Sequence, residues 1–327
     1  QFDIVGRVFD WVRIPLRYGE LLERRVIDHR LMHEAAAELL KQKEGSEVFK
    51  DFDAFCFVWA GKPGRRSSAL WPVAGKFEDR PCFQICDVWA GRYVPVGVPV
   101  HELTHVLGFI DKYPLFNPVA GMGPWCLVAR GTHGGVPSGM RRPFHLCAWC
   151  KEILGWLRPV VIDPRVPQRL ALRPIQYGPS EAYKILIQPD GSEYYLLENR
   201  QRLGFFGDLP SPGLYILHVG GQHHRVPEYD VDVEEAHGLV IPDASLRYAR
   251  SVAFPQLGRT SFTPLSQPSS RSANPGGYAV WLTNLHTDAQ GVVYFDIGVE
   301  AVPGLEPVSY AGKAYYAPYH FGAGQEV

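Results

Sequence analysis

Two hydrophobic periods divide the chain. Between residues 20 and 43, Leu, Met and Ala recur every three or four positions among Glu, Arg and Lys. That spacing, built from strong helix formers, predicts an amphipathic helix. Alternating apolar and polar side chains over 8–16 predict a strand, and the apolar run 53–60, closed by Gly61, predicts a buried one. A short helix is predicted over 145–157, ending in Gly155-Trp156-Leu157. After Pro159 the texture becomes strand-like. Strands are expected at 170–173, 182–188, 193–199 and 213–219, with a Pro189-Asp190-Gly191 turn, and a further pair at 277–284 and 291–299. Residues 115–143 and 260–275 are rich in Gly, Pro or Ser and read as loops. The expected organisation is α+β: a mixed domain over 1–160, a β-rich, sandwich-like half over 161–300, and a tail over 301–327 without a clear period.

The segment before the first long loop carries the most specific pattern, His101-Glu102-Leu103-Thr104-His105-Val106-Leu107-Gly108-Phe109-Ile110-Asp111. Histidines four apart on a helix project from one face, one turn apart, so both imidazoles reach one metal ion. Glu102 stands beside His101, within reach of a water on that metal. Gly108 is suited to a left-handed helix end, after which Asp111 can return as a third ligand. Three protein ligands and one open position are the arrangement of a catalytic zinc. Pro99 suits a first helical turn, and Leu103, Val106 and Leu107 form an apolar stripe for burial. His33-Glu34 is a contrast, because Ala37 stands where a second ligand would be; no metal is assigned there.

Composition narrows the remaining classes. A chain of 327 residues can bury one large core or two. A net charge of −1 gives no electrostatic case for nucleic acid or an anionic membrane. No apolar run is long enough to span a bilayer. Residue 1 is Gln with no apolar targeting segment after it, so no signal peptide is expected within this chain. The six cysteines are Cys56, Cys82, Cys86, Cys126, Cys147 and Cys150. Beside a signature of extracellular proteases, disulfides are their expected use. Cys147-Ala-Trp-Cys150 and Cys82-Phe-Gln-Ile-Cys86 offer a structural metal site as the alternative.

Beyond the helix, an ordered series of segments resembles the secreted zinc metalloproteases related to immune inhibitor A, within the metzincin-like group. His101 to Tyr113 is similar to that family's HExxHxxGxxD-x-Y. Trp125-Cys126-Leu127-Val128 is similar to its Trp-x-Leu-Met loop, and Cys147 to Trp156 lies in a segment similar to its Leu-x-Ala-Trp-x-Lys-x-x-Leu-Gly-Trp. Glu198-Asn199-Arg200-Gln201, Leu214 to His218 and His237 to Asp243 follow in the family's order. The resemblance covers roughly residues 8–300. Two positions depart from it. Val128 stands where Met is usual, with Met122 six residues earlier, and Gly220 replaces an Asp.

The resemblance implies a zincin-like catalytic domain in a secreted, extracellular chain that hydrolyses peptide bonds with zinc, acts on protein or peptide substrates and is monomeric. Glu102 is the expected general base and His101, His105 and Asp111 the expected zinc ligands. Glu198 is the rival third ligand, read more simply as a partner of Arg200. Tyr113 and His218 are candidates for oxyanion donation or for support of the ligands. His223-His224 read as a solvated pair. Asp208, Asp230, Asp232, Glu234 and Glu235 are candidates for a structural calcium ion, against a solvated acidic loop. Two other functions are compatible with the motif: a catalytically weak or inactive homologue that binds partners around a structural zinc, and a zinc hydrolase acting on a non-peptide bond.

Overall fold

The structure, a computed structural model, describes residues 4–23, 29–64, 68–112, 122–134, 140–220, 231–238, 250–272 and 274–298. The chain divides into two compact units, Gln1–Asp111 with Gly139–Arg141, and Lys112–Ser138 with Arg142–Val327. None of the helices among the described residues is long and apolar enough to cross a membrane.

In the first unit, residues 8–16 form no strand. They have the alternation but no partner chain, and a strand exists only through its ladder. Phe9 instead sets its ring edge-on to Phe49 and Phe52, with centroids 6.2 and 6.0 Å away. The helical period resolves into α1 (Tyr18–Glu23) and α2 (His29–Glu44). Met32, His33, Ala36 and Ala37 of α2 are buried, which is the three-and-four spacing that marked the helix. Strand β1 (Phe55–Trp59) lies within the predicted run. Strands β2 (Val73–Phe77) and β3 (Arg80–Cys86) complete a sheet of order β1-β3-β2, with β1 parallel and β2 antiparallel to β3. Glu78 and Asp79 join β2 to β3 with φ of 47° and 61°. Two positive φ values define the hairpin turn whose twist suits paired strands, but Glu-Asp is not its usual sequence, so the sequence carries no turn signal for this hairpin. A small ribbon follows, β4 (Val88–Trp89) and β5 (Arg92–Tyr93), and then α3 (Gly97–Val106).

The second unit begins with loops and α4 (Ala148–Ile153), shorter than the predicted helix. Cys147 is extended, and Gly155, with φ of 71°, closes the other end. The strands are β6 (Val160–Ile162), β7 (Gln168–Leu172), β8 (Tyr183–Leu186), β9 (Tyr194–Arg200), β10 (Gly213–Val219), β11 (Val231–Val233), β12 (Leu282–Thr287) and β13 (Val293–Ile297). They form sheets of order β11-β10-β9-β8-β6 and β12-β13-β7. Tyr195, Leu197, Leu214 and Ile216 from the first sheet share one buried core with Leu170, Leu172, Val293, Phe295 and Ile297 from the second. These residues alternate along each strand, so one face of each sheet supplies the core of a sandwich. β12 starts later than the 277–284 prediction and carries a register shift between Thr283 and His286, where Asn284 has φ of 52°.

Residues on the other face of β9 and β10 are also buried. Trp125 packs on Tyr215 with ring centroids 5.6 Å apart, and Lys184 of β8 pairs with Glu152 of α4 at 2.7 Å. This cover explains why 112–138 and 142–160 belong with the β-rich unit, although the sequence texture changes near Pro159.

Candidate metal centre

Helix α3 begins without a side-chain cap. Its Gly97 N–H instead donates to the Met140 carbonyl at 2.8 Å, satisfying one of the donors that a helix start exposes. Val98, Leu103 and Val106 pack in a cluster with Phe83 and Ile85 of β3, which anchors the helix through its apolar residues. At the other end Gly108 has φ of 96°. Its N–H donates to the His105 carbonyl at 3.0 Å, and the Phe109 N–H donates to the Thr104 carbonyl at 3.2 Å. This pair of bonds is the Schellman closure, and it turns the chain back along the helix it has just left.

The returning chain brings Asp111 to both histidines. Asp111 Oδ1 lies 3.1 Å from His101 Nε2 and 3.5 Å from His105 Nε2, and the two imidazole rings stand at 87° with centroids 5.0 Å apart. Ligands about 2.0–2.1 Å from a tetrahedral zinc lie about 3.3–3.4 Å from one another. The two measured separations bracket that edge, and all three donor atoms lie within 4.8 Å of one another, so they can share one ion. His105 Nδ1 lies 2.8 Å from the Phe109 carbonyl. A carbonyl only accepts, so Nδ1 carries the proton and Nε2 keeps its lone pair for a metal. Hydrogen bonding at the far nitrogen is the usual way a ligating imidazole is oriented. The donor set, two imidazoles and a carboxylate, suits zinc.

Glu102 is buried beside these ligands. Burial pushes its pKa up to about 7; His101 opposes the rise and Asp111 adds to it.

The remaining candidates have other partners or lie outside the described residues. Glu198 of β9 is fully buried and paired with Arg200, whose guanidinium also donates to the Trp125 carbonyl and covers the Tyr215 ring at 4.4 Å. It has the role of an ion-pair partner within the second unit. His218 of β10 places Nε2 2.8 Å from Glu193 and Nδ1 3.0 Å from Glu234. Burial lowers its pKa, but the two carboxylates prevail and raise it to about 9. With both ring nitrogens committed to carboxylates, His218 is not available as an oxyanion donor. Tyr113, His223, His224 and Asp230 lie outside the described residues. Glu234 is engaged by His218, and Asp232 accepts the Val233 N–H at 2.8 Å. Among the described residues, the acidic candidates for calcium form no converging ligand group.

One of the two departures from the resembled pattern has a local reason. Gly220 has φ of 76°, and a Cβ there would fall 1.8 Å from the Ser192 carbonyl oxygen, so Asp cannot be placed on this backbone. Val128 is fully buried, and its carbonyl accepts the Lys112 N–H at 2.9 Å. None of the six cysteines is in a disulfide, contrary to the expectation from sequence. Cys126, Cys147 and Cys150 converge instead; the CxxC spacing marked two of them, but nothing near Cys126 marked the third. The chain matches no protein-family model and no curated protein.

Proposed function

We propose that this chain is a zinc-dependent endopeptidase, with His101, His105 and Asp111 as metal ligands and Glu102 as general base. The observation that carries the reading is the convergence of two imidazole nitrogens on one oxygen of Asp111, at 3.1 and 3.5 Å, at the end of the helix that bears Glu102. Zinc, when bound, supplies Lewis acidity for polarising a carbonyl and activating water. Glu102 takes the proton of the attacking water on its carboxylate and returns it to the departing amine. His105, fixed by the Phe109 carbonyl, and Asp111, placed by the turn at Gly108, keep the ligand geometry ready without rearrangement.

A purely structural metal has no need of a buried carboxyl next to its ligands, which favours catalysis over the binding-module reading. Peptide bonds and an extracellular setting rest on the resemblance to the immune inhibitor A proteases. The six free thiols do not add to the case for secretion. The near-neutral charge fits a chain that does not bind nucleic acid, and the monomeric state is part of the proposal.

Casein or peptide cleavage by Glu102→Ala, with zinc measured in the same sample, tests the reading. The expected result is full zinc retention with cleavage reduced about 10³-fold, within the range attributed to a general base. Cleavage that persists in the variant would overturn the assignment of Glu102, and cleavage by wild type stripped of zinc would overturn the metal mechanism.

A further inference from the structure

Three cysteines of the second unit come together from two segments. Cys126 follows the short turn Gly123–Trp125, while Cys147 immediately precedes α4 and Cys150 lies within it. All three are fully buried. Cys150 Sγ lies 3.8 Å from Cys126 Sγ and 3.6 Å from Cys147 Sγ, and all three sulfurs are within 4.8 Å of one another. A disulfide requires about 2.05 Å, so these are thiols in contact. A zinc ion with bonds of about 2.3 Å to sulfur sets its thiolates about 3.8 Å apart. The measured separations are those of sulfurs sharing one ion. A multi-iron cluster would spread them, because each thiolate then caps a different iron.

Without a metal, burial favours the neutral thiols of Cys147 and Cys150, while burial at Cys126 is outweighed by hydrogen bonds that favour the thiolate. The Cys147 N–H donates to Cys126 Sγ at 3.1 Å, a contact for which a neutral thiol is a weak acceptor. Three thiolates and Zn²⁺ carry one net negative charge. Lys151 interacts electrostatically with Cys126 and Cys147, and Arg200 with Cys147. Arg200 Nε is buried without a hydrogen-bond partner. The loop presenting Cys126 is tightly fixed: its carbonyl accepts the N–H groups of Ala129 and Gly131, each at 2.9 Å. A Cβ at Gly131 would lie 2.4 Å from that carbonyl oxygen, so the loop closes only around glycine.

We propose that Cys126, Cys147 and Cys150 bind one zinc ion, at a site sharing no ligand with the His101, His105 and Asp111 centre. Loading converts the three thiols to thiolates and releases their protons to solvent. Three protein ligands leave one coordination position for a solvent oxygen. The ion ties the Cys126 loop to α4 within the second unit.

The test uses the full chain carrying His101→Ala and His105→Ala together, so that the thiol site is read alone. Elemental analysis is expected to find about one zinc per chain in this variant and about two in wild type. After removal of zinc, cobalt(II) alone should give thiolate-to-metal charge-transfer absorption in both proteins. Adding Cys126→Ser should abolish that absorption. Should the serine variant not fold, thiol alkylation of the histidine variant replaces it: three cysteines should be protected with zinc and reactive once it is chelated. Absence of the charge-transfer absorption, a disulfide among the three, or copper or iron in place of zinc would overturn the proposal. Failure of the histidine centre reads differently: wild type and the histidine variant would then hold equal zinc.

Discussion

Gly108 and Gly220 both have positive φ, yet they do different work. At Gly108 a Cβ would meet nothing within 4 Å, so only the backbone conformation resists substitution. Gly108→Ala should therefore cost about 1–2 kcal/mol in urea unfolding. Shifting the closure also moves the Phe109 carbonyl that orients His105, so zinc affinity should fall about tenfold. At Gly220 the added carbon collides with the Ser192 carbonyl. Gly220→Ala should cost about 4 kcal/mol or more. Equal destabilisation by the two substitutions would refute this distinction. The contrast also sets what sequence can reveal. His101, Glu102, His105, Gly108 and Asp111 are legible because one helix turn and its closure bring them together. Cys126 meets Cys147 and Cys150 only through loop folding, and Glu193 and Glu234 reach His218 through strand pairing, so no local spacing marks them.

Among elements, β9 shows how burial decides a residue's role. Glu198 reads in sequence as a possible ligand, but the strand lies inside a five-stranded sheet covered on both faces. A carboxylate there needs a cation, and Arg200 two residues along the same strand supplies it. Glu198→Ala should destabilise the protein by about 3–5 kcal/mol, because it leaves the guanidinium buried without its counter-charge. At a temperature where the variant remains folded, it should keep zinc at the proposed His101 and His105 centre, whereas Asp111→Ala should lose it. Loss of that zinc from folded Glu198→Ala would transfer the third-ligand role to Glu198. The longer sandwich strands are legible because their alternation coincides with ladders to neighbours, whereas the three-residue β6 and β11 at the sheet edges are too short to show a period. Residues 8–16 had alternation without a ladder, and β2 and β3 had a ladder but a weak signal, broken by Gly75 and Pro81 and joined by an unusual Glu-Asp turn.

At the scale of the whole molecule, the two units contain buried histidines with opposite responses to pH. In the first unit His33 is stacked on Phe57 with centroids 3.9 Å apart, and its Nε2–H donates to Gln84 Oε1 at 3.0 Å. Nδ1 is buried without a partner. Burial lowers the pKa to about 4, against a smaller opposing contribution from Gln84, and His29 lowers it further. The unfolded chain takes up this proton first, so the first unit loses stability as pH falls from about 6.5 through about 4, by about 3 kcal/mol. In the second unit His218 has a folded pKa of about 9. Its contribution is fully present below about 6.5 and is lost as pH rises through about 9, again by about 3 kcal/mol. His145, lowered to about 4 chiefly by burial, adds an acid-side loss to the second unit. Urea unfolding across this range should thus show an alkaline loss that His218→Gln removes and an acid loss that His33→Gln reduces. If His218→Gln left the alkaline limb unchanged, the Glu193–His218–Glu234 group would not be its source.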